Sequence, residues 1–107
     1  MSKKFNSYLT FGFLSKRVVF GDNILYKLRS NKIHLIVLSN DIGETQKKRF
    51  LDKANYYNVP VIIYESKEYI GDLLHKNYIS ALGIEDKNLS SAIINLKEGV
   101  YYGKKEK

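Results

Sequence analysis

The sequence has 107 residues, no cysteine, a formal net charge of +7 and 44% hydrophobic residues. This length is typical of one domain, and the composition is that of a folded chain rather than a disordered one. The absence of cysteine excludes disulfides, thiolate metal sites and cysteine nucleophiles. No apolar run approaches the ~20 residues that span a bilayer, and no signal-peptide pattern follows the start, so we expect a cytoplasmic protein with no membrane partner.

The spacing of apolar residues predicts five helices that alternate with four strands. In chain order they are helix 5–15, strand 17–20, helix 22–29, strand 33–39, helix 44–58, strand 59–64, helix 67–75, strand 78–84 and helix 86–97. Pro60 predicts that the third strand lies at a sheet edge or starts at the proline, and Ser66 is a favourable N-cap. The alternation predicts an α/β fold with helices on both faces of a sheet of about four strands. We expect a single domain over 1–107, with a core at about 5–98 and a basic C-terminal tail at 100–107.

The charge balance is the first indication of function. Eighteen Lys and Arg against 11 Asp and Glu favour a polyanionic partner, chiefly nucleic acid or an anionic membrane face, although a solvated lysine-rich surface is the alternative. The two histidines do not predict catalysis, because His34 lies inside an apolar strand and His75 closes a helix, where a cation complements the dipole. No carboxylate pair, metal-ligand spacing or phosphate-binding loop of the type G-x-x-x-x-G-K-[ST] accompanies them. We therefore expect no enzymatic activity, no metal and no cofactor.

The segment from Lys16 to Lys32 has the chemistry of a nucleic-acid contact. A strand and a turn place Gly21 at the start of a helix, where free backbone N–H groups favour anions. Asn23 offers both a donor and an acceptor for reading base edges, and Lys27, one turn further on, suits guanine or phosphate. The alternative is an ordinary helix cap with solvated charges.

Three stretches of the sequence form a recognisable set of motifs: K-R-V-V-F-G-D-N-I-L-Y-K-L-R-S-N-K-I-H-L-I-V-L-S-N-D at 16–41, Y-Y-N-V-P-V at 56–61 and S-K-E with a following I-G at 66–71. They resemble the ribosomal protein family that binds kink-turns in RNA, of the archaeal L7Ae type, and in particular its bacterial YlxQ-like branch. The resemblance implies a three-layer α-β-α sandwich around a mixed four-stranded sheet. It also implies a non-enzymatic protein that recognises kinked, structured RNA.

In that family the second helix reads the sheared G·A pairs of the kink, and two further loops converge on the RNA. The resemblance implies that these segments bind RNA through Gly21, Asn23, Lys27, Ser39, Asn40, Asp41, His75, Lys76 and Asn77. The chemistry of the turn and the charges beside it add Lys16, Arg17 and Asp22 to the predicted RNA-binding residues. Three positions depart from the family pattern: Ile24 replaces a glutamate of the archaeal pattern, His75 a preferred glycine, and Ile79 an arginine of the bacterial branch.

We predict a monomeric RNA-binding protein of ribonucleoprotein type, whose partner is structured RNA, ribosomal or regulatory, or the ribosome itself. The three departures motivate a second hypothesis, in which the same fold has turned to protein partners or to weak, nonspecific RNA binding. A third hypothesis is a small anion- or nucleotide-binding enzyme that uses Gly21 and the helix end, and the missing catalytic groups count against it.

Overall fold

The computed structural model describes residues 3–103, in which five helices alternate with five strands. The elements are α1 (Lys3–Leu14), β1 (Val18–Phe20), α2 (Asn23–Arg29), β2 (Leu35–Leu38), α3 (Glu44–Tyr56), β3 (Val61–Ile63), α4 (Lys67–Leu73), β4 (Ala81–Ile84), α5 (Lys87–Asn95) and β5 (Val100–Tyr102). The helices follow apolar residues spaced three and four apart, and the strands follow short runs of β-branched and aromatic residues.

The five strands form one mixed sheet in the order β1-β4-β2-β3-β5. β2 and β3 run parallel, and every other neighbouring pair is antiparallel. All residues of β2, β3 and β4 are buried, which explains why these runs are continuously apolar rather than alternating.

Helices cover both faces of the sheet. α1, α4 and α5 pack on one face over a core that includes Phe5, Ile70 and Ile93. α2 and α3 pack on the other face, over Leu28 and Phe50. The predicted three-layer α-β-α sandwich is therefore confirmed, with a sheet of five strands instead of four.

The fifth strand arises from residues that the sequence analysis assigned to the C-terminal tail. Val100 pairs with Ile63 and Tyr102 with Val61, so β5 covers the outer side of β3. The prediction that β3 is an edge strand is wrong, and the alternative is confirmed, because Pro60 directly precedes the strand. Residues 104–107 of the predicted tail lie outside the described residues.

The fourth strand is shorter than predicted. It begins at Ala81 rather than Tyr78, because the N–H of Ile79 donates to the carbonyl of Lys67 at 3.0 Å. Residues 78–80 thereby belong to the loop that follows α4.

Within residues 3–103, every helix is followed closely by a non-glycine residue in the left-handed conformation. These residues are Lys16, Asn31, Asn58, His75 and Lys97, with φ between 58° and 61°. At the end of α4, the N–H of Lys76 donates to the carbonyl of Gly71 at 2.8 Å and that of His75 to Asp72 at 3.2 Å. This is the Schellman arrangement, which satisfies the last helical carbonyls and reverses the chain toward the next strand.

Candidate nucleic-acid interface

Three loops meet at one end of the sheet, beyond Phe20, Leu38 and the start of β4. The N–H of Gly21 donates to the carbonyl of Ala81 at 3.4 Å, and the N–H of Ser39 donates to that of Ser80 at 2.8 Å. We call this the loop end and define it as residues 20–23, 39–43 and 75–81. The structure therefore brings together three of the segments that were predicted to contact RNA.

A cavity of about 450 Å³ opens between the loops of the loop end. Apolar side chains form much of its wall, and polar and aromatic groups complete it. The lining residues are Phe20, Gly21, Ile42, Gly43, Gln46, Phe50, Lys76, Tyr78, Ile79, Ser80 and Ala81. A concave apolar surface with a few polar groups is the usual form of a ligand site.

The turn from β1 into α2 presents an asparagine to solvent. Gly21 has φ 57°, a left-handed conformation that glycine adopts without steric cost. Asn23 is exposed, and among residues 3–103 its side chain has no hydrogen-bond partner. Asp22, by contrast, accepts a bond of 2.8 Å from Arg49. The side chain of Asn23 is therefore available to a ligand, whereas that of Asp22 is already bonded to Arg49.

The second loop of the loop end, residues 39–43, is fixed by hydrogen bonds to residues 64–67. Asn40 donates from its backbone N–H to the carbonyl of Glu65 at 2.8 Å and from Nδ2 to that of Tyr64 at 3.5 Å. Asp41 Oδ1 accepts a bond of 2.9 Å from the backbone N–H of Lys67, at the start of α4, which lowers the pKa of Asp41 below 3.8. Ser39 is fully buried. The side chain of Asn40 therefore ties the loop to the residue that follows β3, and that of Asp41 ties it to the start of α4, while both side chains remain exposed.

The third loop carries a lysine that folds back onto aromatic rings. Lys76 Nζ lies 5.5 Å from the ring centroid of Phe13 and 5.3 Å from that of Phe20. Such cation–π contacts are worth about 0.5–1 kcal/mol at exposed sites. His75 and Asn77 are exposed beside it. The loop therefore presents two polar side chains and one cation held near the cavity.

Three of the predicted residues lie elsewhere. Lys27 pairs with Glu85 at 2.9 Å, and Arg17 pairs with Asp86 at 3.8 Å, beyond the last residue of β4. Lys16 precedes Arg17 at the start of β1 and is exposed. We call this opposite end of the sheet the basic end and define it as residues 16–17, 27–34 and 84–87. The predicted site is thus divided between two ends of the molecule.

Two of the three departures from the family pattern are core residues. Ile24 is 0% exposed and Ile79 is 4% exposed. A carboxylate or guanidinium at either place would lose hydration without a partner, which is costly. The third departure, His75, is exposed and left-handed, which gives a physical reason for the family's preference for glycine there.

Sequence reasoning missed three residues of the loop end and its surroundings. Tyr78 is 66% exposed beside the cavity, and it was assigned to a strand because of the apolar run that follows. Gln46 also lines the cavity, and Arg49 orients Asp22. Both belong to α3, more than 20 residues along the chain from the turn, and no local pattern indicates that contact.

Residues 3–103 contain no cluster of three or more His, Asp and Glu side chains that could hold a metal ion. In the same range, no helix is both long enough and apolar enough to cross a membrane.

The fold of this chain is shared with a solved structure. A solved structure from Bacillus halodurans C, described as a protein with unknown function, superposes with a TM-score of 0.83. The match covers 89% of this chain and 97% of that chain at 25% sequence identity.

The family follows from sequence. The profile of the ribosomal protein L7Ae/L30e/S12e/Gadd45 family matches residues 4–94, and the chain belongs to this family. It is 28% identical over 83 residues to a protein of Bacillus subtilis (strain 168) named RNA-binding protein YlxQ, covering 77% of this chain and 83% of the relative. It is 31% identical over 72 residues to a protein of the same name from Enterococcus faecium, covering 67% of this chain and 69% of the relative. The family that the sequence analysis identified is confirmed.

Proposed function

We propose that this protein binds structured RNA through the loop end, recognises a kink-turn there, and performs no catalysis. The observation that carries the proposal is the position of Asn23. Its side chain is exposed and unpartnered among the described residues, and it follows Gly21, which lines the cavity. An amide that can both donate and accept suits the edges of bases exposed in an irregular helix.

The names of the two relatives support RNA as the ligand. Both are called RNA-binding protein, and the family match over residues 4–94 includes the loops of the loop end. In the proposed complex Asn23 reads the G·A pairs of the kink. The cavity beside it accommodates a nucleotide displaced from the stack, with Asn77 and Lys76 near its opening.

Under this proposal the protein is a cytoplasmic monomer that binds ribosomal or regulatory RNA, free or within the ribosome. A second candidate is the same fold serving a protein partner. It is favoured by the charge of the loop end, which contains one basic residue, Lys76, and two acidic residues, Asp22 and Asp41. An RNA-binding surface usually has an excess of cations.

The test compares two RNAs that differ only at the kink. One contains a kink-turn with tandem G·A pairs, and in the other these pairs are replaced by Watson–Crick pairs. We expect the first to bind at least tenfold more tightly, about 1.4 kcal/mol. Equal binding of the two RNAs would contradict kink-turn recognition. The second candidate would be favoured if, in addition, the protein captured one partner protein from the host cell and bound that partner again after both had been purified.

A further inference from the structure

The basic end holds most of the excess positive charge of this protein. It contains six basic residues against two acidic ones, whereas the loop end contains one against two. The basic residues are Lys16, Arg17, Lys27, Arg29, Lys32 and Lys87. The charge that should attract RNA is therefore concentrated away from the loops that should read it.

Backbone contacts hold the three segments of the basic end together. The N–H of Glu85 donates to the carbonyl of Arg17 at 2.8 Å, and that of His34 donates to Ile84 at 2.8 Å. The N–H of Lys32 donates to the carbonyl of Lys27 at 3.0 Å. These bonds fix the backbone from which the basic side chains project.

The two carboxylates of the basic end are too few to pair with all six of its basic residues. Glu85 pairs with Lys27 and Asp86 with Arg17. Arg29 and Lys32 are exposed, and no carboxylate within residues 3–103 lies in ion-pair distance of either. Unpaired, exposed cations on a rigid surface are suited to neutralise phosphates.

The exposed face of α2 connects the two ends. Asn23, Tyr26 and Arg29 follow one another at intervals of three residues, and all three are exposed. They span about 9 Å along the helix. Tyr26 is 66% exposed, and its ring offers a surface for a ribose or base. One strand of RNA laid along this face would pass from the loop end to the basic end.

We propose that the basic end binds the phosphate backbone of the RNA helix that flanks the kink, without regard to base sequence. This inference rests on the proposed function for the kink itself. The loop end then supplies recognition, and the basic end, with Arg29 and Lys32 as its principal contacts, supplies affinity and the register of the flanking helix.

The experiment uses two kink-turn RNAs, one with a flanking helix of a full turn and one with that helix cut to the minimum that still folds, together with an unkinked duplex. The variant Arg29→Gln/Lys32→Gln removes two charges and keeps the aliphatic stems. Lys48→Glu makes the same change in net charge on the exposed face of α3, where Lys48 pairs with Asp52. Circular dichroism verifies folding of each protein.

We expect the double variant to lose affinity for the long RNA and to bind the short RNA as the wild type does. Two lost phosphate contacts reduce the log–log salt slope by about 1.8, so the wild-type advantage should shrink about tenfold between about 50 and 200 mM salt. Lys48→Glu should bind the long RNA within about twofold of the wild type at the higher salt, where screening is strong.

Failure of the two proposals is distinguishable. If the wild type prefers kinked RNA but the double variant shows the same dependence on helix length, the inference is overturned and the proposed function stands. If the wild type binds kinked and unkinked RNA equally well, the proposed function fails. Binding of the unkinked duplex then tests whether the basic end contacts phosphates. Loss of duplex binding by the double variant alone supports a phosphate-binding basic end, and equal loss by Lys48→Glu refutes it.

Discussion

Asn23 is exposed, has a free amide and stands two residues after Gly21, which lines the cavity, so it is the residue on which recognition should depend most. Asn23→Ala removes a short polar group from the first position of α2, so the free energy of unfolding should change by no more than about 1 kcal/mol. The affinity for a kink-turn should fall by about 1–3 kcal/mol, and the affinity for the RNA without G·A pairs should hardly change.

The matched control is Asn55→Ala, an exposed asparagine near the end of α3. Gel shifts with both RNAs provide the comparison. If Asn23→Ala and Asn55→Ala bind the kink-turn equally well, Asn23 does not read the RNA.

His75 has a left-handed backbone with φ 61°, which costs an L-residue about 1–2 kcal/mol. His75→Gly relieves this cost but gives the unfolded chain more freedom, worth about 0.4–1 kcal/mol. We expect a net gain of about 0.5–1 kcal/mol in the free energy of unfolding, measured by urea titration. Lys97→Gly, at φ 58°, should behave alike, whereas Lys48→Gly inside α3 should cost about 1 kcal/mol. A loss of stability in His75→Gly would contradict this account.

Asp41 makes the stability of the loop end depend on pH. Its pKa is lowered because the carboxylate accepts the backbone N–H of Lys67. The associated stability is therefore fully present above the unfolded-state pKa of about 3.9 and is lost as the pH falls through the lower, folded value. Asp41→Asn keeps an acceptor but cannot titrate. The difference in urea midpoint between wild type and Asp41→Asn should be constant near neutral pH and should decrease below pH ~4. A difference that does not change with pH would show that the bond leaves the pKa unaltered.

At the scale of elements, α4 positions the loop end through a glycine. A Cβ built on Gly71 would lie 2.5 Å from the carbonyl oxygen of Asn77 and 3.0 Å from that of Lys76. Backbone atoms cannot yield as a flexible side chain can, so alanine there must displace the loop.

Gly71→Ala should gain up to about 1 kcal/mol of helix propensity, but the overlap should cost about 1–3 kcal/mol. We expect net destabilisation by urea titration together with weaker kink-turn binding, since residues 75–77 move. Gly43→Ala is the control for stability alone, because Gly43 has φ −63° and a Cβ there would meet nothing within 4 Å; its RNA affinity is not compared, since Gly43 lines the cavity. Unchanged RNA affinity in a folded Gly71→Ala protein would show that the third loop is not part of the interface.

Secondary structure near the C terminus shows the limit of local patterns. Val100, Tyr101 and Tyr102 are β-branched and aromatic, but the run is only three residues long and its side chains are exposed, so no buried apolar face marks it as a strand. They become one because β3 offers an unpaired edge, and backbone hydrogen bonds to that edge require no particular side chains.

For the whole molecule, the net charge of +7 predicts binding that weakens steeply with salt. If about four phosphates are neutralised, log K should fall against log salt with a slope near −3 to −4. Filter binding of a kink-turn across a series of salt concentrations measures it. A flat titration would mean that the basic end is only a solvated surface.

The sequence by itself determined the family, the order of the α and β elements up to the fifth helix, and the segments around Gly21, Asn40 and Lys76. Apolar periodicity is a local property, and the family motifs lie in continuous stretches, so both can be read along the chain. Only the tertiary structure decided which of the predicted residues lie together. Strand register places Asn23 beside the loops at one end of the sheet, and ion pairs hold Lys27 and Arg17 at the other. Those positions depend on contacts between residues about 60 apart in sequence, which no spacing within a single segment encodes.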